Sequence, residues 1–370
     1  MNVFTSDWEN TTWNKGSAFD KRNWSVCLGI KWNEEPAQTL FDSHYVQWPL
    51  DDCLWVFFNA KYDLHWYRRN GMRNLPSSIW CCQLAEFLLS GQKNRYPSLD
   101  DTAKKYNLGQ KQDQVKAYWE SGYNTNDIPR AILEEYSIQD VELTYQIFLK
   151  QKEQFDKNPK LYKLFQLQCL DLLVLEEMEW NGLVYDERLC ELRAVELEEQ
   201  LENINKRLCS VYPDIPINFS SGDQLSAFIY GGNIPYEVTE QVGFYKNGKP
   251  KFKKVEKVHS LPRLLTPLKG TELKKDGTYK TDEATLRKLS GNKVYMGYIR
   301  DLLDYGRLDK LLSTYYKGIP KKNLEFGWKR GEIHGQFNQV VAQTGRLSSS
   351  EPNLQNFAED CLDIFVSRYE

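Results

Sequence analysis

Apolar and polar residues in the first 150 positions follow patterns typical of both strands and helices. Between Trp24 and Trp32 apolar side chains recur at every second position, which predicts a strand with these side chains on one face. Residues 54–60, LWVFFNA, form a continuous apolar run, as in a strand buried on both faces. Two further strands are predicted at residues 3–9 and 39–41, and two helices at residues 63–71 and 79–91. Together they predict an α/β fold, a mixed sheet with flanking helices.

Longer helical patterns follow. A helix is predicted from about Asp127, which can cap its N-terminus, with Pro129 in the first turn. Beyond residue 160 three long helical segments predict a mainly α region, at residues 164–182, 186–213 and 294–318. We expect the last two helices, about 80 residues apart in the sequence, to pair antiparallel as a protruding arm.

Composition limits the classes of protein that the chain can form. Its 370 residues favour two domains, and 41% hydrophobic residues with 14% aromatic residues are enough to fill their cores. The eight cysteines show no CxxC pair and no metal-site spacing with histidine, which indicates free thiols. The N-terminus has no signal-peptide pattern and no apolar run reaches about 18 residues, so we expect a cytoplasmic protein with no membrane contact.

The charge is unevenly distributed along the chain. The net charge is −3, so nucleic-acid binding would depend on local basic patches. Residues 241–280 contain eleven Lys and Arg against three Asp and Glu, and the sequence GFYKNGKPKFKKV predicts a hairpin that turns at Asn247 and Gly248. A solvated loop is one interpretation of this charge. On a protruding arm, we favour a patch that contacts phosphates.

Three carboxylates of the first region lie in informative positions. Asp7 and Glu9 are two apart on a predicted strand, so both point to the same face and repel each other unless a cation lies between them. Asp63 follows the buried strand 54–60, where α/β folds place ligands. Each has an ordinary alternative: exposed acids on an edge strand for the pair, and a helix N-terminal acid for Asp63.

Asp140 gives the sharpest local signal. It belongs to a helical stripe that is otherwise apolar, with Tyr136 one turn before it. An ionised carboxylate in a core-facing stripe is costly unless it is paired or binds a metal, and no Lys or Arg lies three or four residues away in the sequence. The alternative is a position at the edge of the stripe, facing solvent. The stripe consists of Leu133, Tyr136, Asp140, Leu143 and Ile147.

The four acids together predict a site for divalent cations. Mg²⁺ prefers oxygen ligands and takes a few carboxylates together with phosphate oxygens of a substrate. Two such ions about 4 Å apart suit the cleavage of a phosphodiester bond. The four histidines are scattered and no GxxxxGK loop is present, which argues against a nucleophilic triad and against an NTPase.

Three motifs carry a resemblance to a known family. SDWEN, FNAKYDLHW and YSIQDVELTY resemble the exonuclease motifs of the Asp-Glu-Asp-Asp superfamily, in the subtype with a tyrosine four residues before the last aspartate. QLAEFLLSGQ and YPSLDDTAKKY resemble the proofreading domain of family A DNA polymerases. The first motif departs from the family pattern after Glu9, where Asn10 precedes Thr11.

The second half resembles the same polymerases. LEEMEWNGLVYDERL, INFSSGDQLSAFIYG, TDEATLRKL and RLDKLLSTYYKGI are similar to the thumb, and GQFNQVVAQTGRLSSSEPNLQNF is similar to the stretch that leads into the palm. The chain therefore resembles a phage-type, DNA polymerase I-like family A polymerase over nearly its whole length.

The resemblance implies three regions. A ribonuclease H-like 3′–5′ exonuclease domain would occupy residues 1–155, a mainly α thumb residues 156–335, and the start of the palm residues 336–370. A basic insertion at about residues 233–280 has no counterpart that we can place in the family. Because CLDIFVSRYE resembles the segment just before the first palm aspartate, we expect polymerisation to need a palm and fingers that this sequence lacks. They would come from a second polypeptide or would have been lost by truncation.

Carried onto this sequence, the resemblance assigns catalytic roles. Asp7 would bridge two divalent ions, Mg²⁺ or Mn²⁺. Glu9 and Asp140 would complete the tighter site, and Asp63 would hold the second ion through water. Tyr136 would orient the attacking water, since a phenol with an ordinary pKa near 10 is a poor base.

The resemblance also implies contacts with DNA. Asn59 would form a hydrogen bond near the primer terminus. Arg346, Asn353 and Gln355 would touch the DNA near the primer end, where minor-groove acceptors are common to all base pairs. From the charge of the predicted hairpin we add three candidates for phosphate contacts, Lys251, Lys253 and Lys254.

The expected function is two-metal 3′–5′ exonuclease activity for proofreading in DNA replication. Its partners would be primer–template DNA and single-stranded 3′ ends, and its products nucleoside monophosphates. Two alternatives remain: a non-catalytic DNA-binding clamp subunit of a split polymerase, and a stand-alone RNA-trimming 3′–5′ exonuclease of the same fold.

Overall fold

The computed structural model describes two compact units. It covers residues 2–41, 53–109, 114–245, 247–273 and 277–368. Unit 1 comprises Met1–Tyr185 and Lys321–Glu370, and unit 2 comprises Asp186–Pro320. These are units of packing, and the functional boundaries predicted at residues 155 and 335 stay a prediction.

Unit 1 is built on a five-stranded mixed sheet. In chain order its strands are β1 (Asn2–Asn10), β2 (Ser25–Trp32), β3 (Gln38–Leu40), β4 (Cys53–Phe57) and β5 (Ile79–Cys81). They lie in the order β3-β2-β1-β4-β5, and the central strand β1 is antiparallel to β2 and parallel to β4. The mixed sheet predicted from the sequence is confirmed.

Strand β4, which includes the first part of the apolar run 54–60, forms the middle of the core. Trp55, Val56 and Phe57 are fully buried. The ring of Trp55 packs edge-on against Phe4 at 4.7 Å and against Tyr67 at 5.1 Å, measured between ring centroids. Burial on both faces of the sheet explains why β4 shows no alternation of apolar and polar residues.

Three details of the predicted elements are wrong. Residues 54–60 were predicted as one strand, but β4 ends at Phe57 and a helix begins at Ala60. Residues 79–81 were predicted as helix, but they form the edge strand β5 before the next helix begins at Cys82. A short apolar run does not by itself distinguish a buried strand from a helix. Trp24 was predicted to share a strand face, but β2 begins only at Ser25 and Trp24 is 52% exposed.

The helices of unit 1 confirm that the predicted helical segments are helical, but several of their N-termini differ from the prediction. Asp127 does not cap α5, because its carboxylate instead accepts a hydrogen bond from the N–H of Asn124 at 3.1 Å in a short 3₁₀ helix, and the extended Pro129 precedes α5. The helices are α1 (Ala60–Arg69), α2 (Cys82–Leu89), α3 (Leu99–Lys105), α4 (Gln114–Glu120), α5 (Arg130–Asp156) and α6 (Pro159–Asn181), followed by β6 (Leu183–Tyr185).

Unit 2 is mainly helical, as predicted. Its helices are α7 (Glu187–Cys209), α8 (Gly222–Tyr230), α9 (Glu283–Leu286) and α10 (Lys293–Lys310), and a π-helical stretch (Leu311–Tyr316) precedes α11 (Gly318–Glu325), which runs into unit 1. Near the end of α7, Arg207 binds Asp301 in the first half of α10 at 2.6 Å, and Lys317 beyond α10 binds Glu198. The predicted antiparallel pairing of these two helices is therefore confirmed.

Gly318 was predicted to end a helix, but it begins α11. A Cβ at this position would lie 2.6 Å from the backbone oxygen of Ser313. Glycine therefore allows a close turn between two consecutive helices, which the sequence pattern alone did not distinguish from a helix end.

The basic segment contains a long antiparallel hairpin. Strands β7 (Gly232–Phe244) and β8 (Pro250–Leu261) pair along their whole length, and the loop that joins them includes Asn247 and Gly248. The predicted hairpin is confirmed, and it is longer than expected. Lys246 and residues 274–276 lie outside the described residues.

The last part of unit 1 returns to the first part through small sheets. Strands β9 (Glu332–Ile333), β10 (Gln336–Asn338), β11 (Ser348–Ser350) and β12 (Phe365–Val366) complete the chain, with β12 and β9 on either side of β6 and β10 paired with β11. No helix in the described part of the chain is both long and apolar enough to span a membrane.

Candidate active site

Strand β1 presents Asp7 and Glu9 on the sheet face that α5 covers. Asp7 pairs with Gly29 of β2, and directly opposite residues of two strands share a face. At Gly29 the helix comes so close that an added Cβ would lie 2.6 Å from the hydroxyl of Ser137 and 3.0 Å from its backbone oxygen. Because Asp140 lies one turn beyond Ser137, this close approach brings it to Asp7.

Three carboxylates converge at this crossing. Asp7, Glu9 and Asp140 each offer one oxygen, and these oxygens lie within 4.8 Å of one another. Glu9 is 7% exposed and Asp140 is 4% exposed, whereas Asp7 is partly buried. The position of Asp140 in a buried stripe of α5 is as predicted, since Tyr136 and Leu143 on either side of it are buried as well.

Asp63 adjoins this group from α1. Its carboxylate accepts a hydrogen bond of 3.1 Å from the backbone N–H of Trp8, the residue between Asp7 and Glu9 on β1. Burial raises the pKa of Asp63, and the charges of Asp7 and Glu9 raise it further, while the hydrogen bond from Trp8 acts in the opposite direction. Asp63 is therefore a neighbour of Asp7 rather than a member of the tight group of three.

Tyr136 is held one turn before Asp140. It is 9% exposed, and its ring packs edge-on against Trp119 at 5.9 Å between centroids. The indole N–H of Trp119 donates to the hydroxyl of Thr125, which in turn donates to the backbone oxygen of Asn10 at 2.7 Å. The end of β1 and the ring of Tyr136 are thus linked through a single chain of contacts.

The sequence interpretation missed two side chains beside the acids. The side-chain amide of Asn10 donates to the hydroxyl of Tyr62 at 3.2 Å. Burial raises the pKa of Tyr62, and the charges of Glu9, Asp63 and Asp7 raise it further. Two signals were available: Tyr62 directly precedes Asp63, and Asn10 is the residue at which the first motif departs from its family.

Asn59 lies at the N-terminus of α1, exposed to solvent. It borders a cavity of about 210 Å³, lined by Lys61, Tyr62, His65 and Glu179 among others. Asn59, a predicted DNA-binding residue, thus lies four residues before Asp63, which belongs to the first turn of α1.

The other predicted DNA-binding residues are exposed and lie elsewhere in the chain. Arg346 precedes β11, and Asn353 caps a 3₁₀ helix by accepting from the N–H of Gln355 at 3.1 Å. In unit 2 the candidates Lys251, Lys253 and Lys254 lie on β8, all exposed.

The basic charge of the hairpin is partly offset by acids of β7 that precede the counted residues 241–280. Lys254 forms an ion pair with Glu237 at 2.8 Å, and Lys253 stands opposite Glu240 in the register. The local positive charge is thus smaller than the sequence count implied.

The carboxylate group fits hard divalent cations. Three buried or partly buried oxygen donors within 4.8 Å suit Mg²⁺ or Mn²⁺, which prefer oxygen ligands. A cation between them would relieve the mutual repulsion that raises the pKa of Asp63.

Two family comparisons define the class of protein. Residues 41–156 match the family described as 3′-5′ exonuclease, and residues 187–364 match DNA polymerase family A. The chain thus contains a segment that matches a 3′–5′ exonuclease family, followed by a segment that matches DNA polymerase family A. Asp7 and Glu9 precede the matched residues, so their roles rest on the geometry.

Similar proteins are bacterial. DNA polymerase I of Synechocystis sp. is 28% identical over 307 residues, 81% of this chain and 26% of that protein. The thermostable DNA polymerase I of Thermus filiformis is 31% identical over 183 residues, 50% of this chain and 17% of that protein. The chain spans about a quarter or less of the length of these relatives, and a phage-type subdivision stays a prediction.

A solved structure shows the same fold. The POL domain of Pol1 from M. smegmatis, in complex with DNA primer-template and dNTP, aligns with a TM-score of 0.66 at 20% sequence identity. The alignment covers 97% of this chain and 52% of the other. The predicted fold class, an exonuclease-like mixed sheet followed by a mainly helical polymerase region, is confirmed.

Proposed function

We propose that the chain hydrolyses the 3′-terminal phosphodiester bond of DNA as a metal-dependent proofreading exonuclease in DNA replication. The observation that carries this proposal is the convergence of Asp7, Glu9 and Asp140 within 4.8 Å, next to Asp63, in a domain of the 3′–5′ exonuclease family. Asp7, Glu9 and Asp140 come from β1 and α5, and Asp63 of α1 adjoins them through the backbone N–H of Trp8.

The acids divide into two sets of donors. Asp7, Glu9 and Asp140 would hold one Mg²⁺ or Mn²⁺, and Asp63 together with Asp7 would hold a second. When bound, such ions lower the pKa of a coordinated water and neutralise charge on the phosphate.

The remaining side chains position the substrate. Tyr136, fixed by Trp119, would orient the attacking water by a hydrogen bond. The exposed amide of Asn59 would hold the terminal nucleotide. The burial of Glu9 and Asp140 keeps bulk water away from the reacting centre and strengthens electrostatic interactions there.

Two further surfaces would hold the DNA. Arg346, Asn353 and Gln355 would contact the primer end, and the exposed lysines Lys251, Lys253 and Lys254 would contact phosphates. The supply of a palm and fingers by a second polypeptide stays a prediction. The two alternatives, a non-catalytic clamp and an RNA-trimming enzyme, gain no support from the comparisons.

The test is a degradation assay on a 5′-labelled single-stranded DNA and on an RNA of the same sequence. We expect a 3′–5′ ladder from DNA with Mg²⁺ and none with EDTA. Asp7→Asn and Asp140→Asn should each lower the rate about a thousandfold, because ion binding supplies several kcal/mol to the transition state.

The matched control is Glu134→Gln, which removes an exposed carboxylate from the same helix as Asp140. It should degrade DNA like the parent chain. If either aspartate variant kept the parent rate while its circular dichroism was unchanged, the metal-site assignment would be wrong. Faster degradation of RNA than of DNA would favour the RNA-trimming alternative.

A further inference from the structure

The β7–β8 hairpin is exposed over most of its length. Ile234 and Leu261 at its base are buried, but most side chains nearer the tip are exposed or only partly buried. A two-stranded hairpin with both faces in water is only marginally stable. Such a long exposed element suits contact with a ligand.

One face of the tip carries two aromatic rings. Phe244 stands opposite Pro250, and Phe252 stands opposite Gln241. Pro250 and Phe252 are two apart on β8, so they point to the same face, and Phe244 shares it with its partner Pro250. Phe244 is 69% exposed and Phe252 is 56% exposed, far more than phenylalanine in a core.

The tip is also strongly basic. Residues 241–255 contain five Lys and no Asp or Glu. Along β8, Lys254 lies two residues from Phe252 and points to the same face, whereas Lys251 and Lys253 alternate with Phe252 and point to the opposite face. A surface that combines exposed rings with lysines complements a ligand with flat apolar groups and negative charges.

We propose that the tip of the β7–β8 hairpin binds single-stranded DNA, with bases stacked on Phe244 and Phe252 and phosphates held by the lysines. Stacking of bases on aromatic rings needs unpaired bases, since a duplex hides the faces of its bases. Residues 241–255 contain lysines and no acid, and although Lys254 pairs with Glu237 across the hairpin, the remaining positive charge favours a polyanion over an apolar protein partner. This inference rests on the proposed function insofar as the chain acts on DNA.

The test measures binding of the full chain to a fluorescent oligo-dT and to a duplex of the same length, in EDTA so that no cleavage occurs. Phe244→Leu with Phe252→Leu keeps the apolar surface but removes the rings. We expect this double variant to bind the single strand about a hundredfold more weakly, about tenfold for each ring, and the duplex like the parent.

Two controls separate stacking from general apolar contact. Phe244→Tyr with Phe252→Tyr retains the rings and should bind the single strand like the parent. Val258→Ala removes an apolar side chain that is 63% exposed and lies on the same face, and should also leave binding unchanged. Equal affinity of the leucine variant and the parent would overturn the proposal, as would equal losses for single strand and duplex.

Sedimentation of the same variants tests whether a second copy of the chain, rather than DNA, binds the aromatic face of the hairpin. If the parent self-associates and the leucine variant does not, the aromatic face is a protein interface and the proposal fails. Failure of the exonuclease is recognised separately, by the degradation assay. A chain that binds the single strand as expected but does not degrade it would contradict the exonuclease alone.

Discussion

Unit 1 contains two groups of buried or partly buried carboxylates that differ in their charged neighbours. On α6, Glu176 accepts two hydrogen bonds from Arg68 at 2.9 and 3.1 Å, and Glu179 accepts from Lys61 at 2.5 Å. There the chain supplies its own cations. At the crossing of β1 and α5, burial raises the pKa of Asp63, and the charges of Asp7 and Glu9 raise it further.

The difference shows what each group is for. A buried acid paired with Arg or Lys fixes the positions of the elements that carry it, and Glu179 also accepts from the backbone N–H of Phe337 at 2.5 Å. Around Asp7, the charges of Asp7 and Glu9 add to burial in raising the pKa of Asp63, and such a group of acids favours an external cation. We therefore interpret the ion pairs between α6 and α1 as structural. We interpret the group of Asp7, Glu9, Asp63 and Asp140 as functional.

The largest expected effect is a difference in the free energy of unfolding between substitutions in the two groups. Glu179→Gln should lower the free energy of unfolding by about 4 kcal/mol, because it leaves the charge of Lys61 in a largely buried position. Asp140→Asn should change it by less than about 1 kcal/mol in metal-free buffer, since it relieves repulsion between carboxylates. Urea unfolding in EDTA measures both, and a greater loss for Asp140→Asn would reverse the comparison.

The next effect concerns pH. Burial raises the pKa of Glu176 to about 7, although Arg68 acts in the opposite direction. The folded state thus holds this proton more tightly than the unfolded state, so its contribution to stability is complete below the ordinary carboxyl pKa and is lost as pH rises to about 7.

The measurement is the difference in unfolding free energy between the parent and Glu176→Gln, at several pH values. We expect the stability of the parent relative to the variant to fall by at most about 3 kcal/mol between pH 4 and pH 8. A rise over the same window would mean that Arg68 outweighs burial, and that this carboxylate is ionised throughout.

The smallest effect tests the close approach that assembles the cluster. Gly29→Ala would place a methyl group 2.6 Å from the hydroxyl of Ser137 and from a methyl of Val141, so α5 must shift away from β2. We expect a loss of about 2 kcal/mol in unfolding free energy. Because Asp140 moves with α5, degradation of DNA should also slow.

The control for this substitution is Gly297→Ala on α10, where an added Cβ meets nothing within 4 Å. Alanine should stabilise that helix by up to about 1 kcal/mol. If Gly29→Ala were as stable and as active as the parent, the crossing at Gly29 would not hold the carboxylates together.

Much of this arrangement could be predicted from the sequence, because it follows local periodicity. The alternation of apolar residues in β2 predicted a strand of the sheet. The apolar stripe of α5 predicted the burial of Asp140. The crossing of α5 over Gly29 could not be predicted, since it depends on packing between residues more than a hundred positions apart. A glycine inside a strand was the available signal, and it marks such a close approach.

The α6 pairs were also beyond the sequence. Glu176 and Glu179 lie on a helix that the sequence predicted, but only tertiary packing shows that they pair with Arg68 and Lys61 of α1. The scattered histidines gave no motif, yet His334 lies 2.9 Å from the backbone oxygen of Glu179. Local patterns thus identified the acids of the functional group better than those of the structural one.

The most direct test of the central claim is a titration of the metal-free chain with Mn²⁺, with free ion counted by electron paramagnetic resonance. The parent should bind two ions, and Asp140→Asn should lose at least one of them or bind it more than tenfold more weakly. Glu179→Gln, measured where it remains folded, should bind like the parent. Equal numbers of ions and equal affinities in the parent and Asp140→Asn would contradict the account.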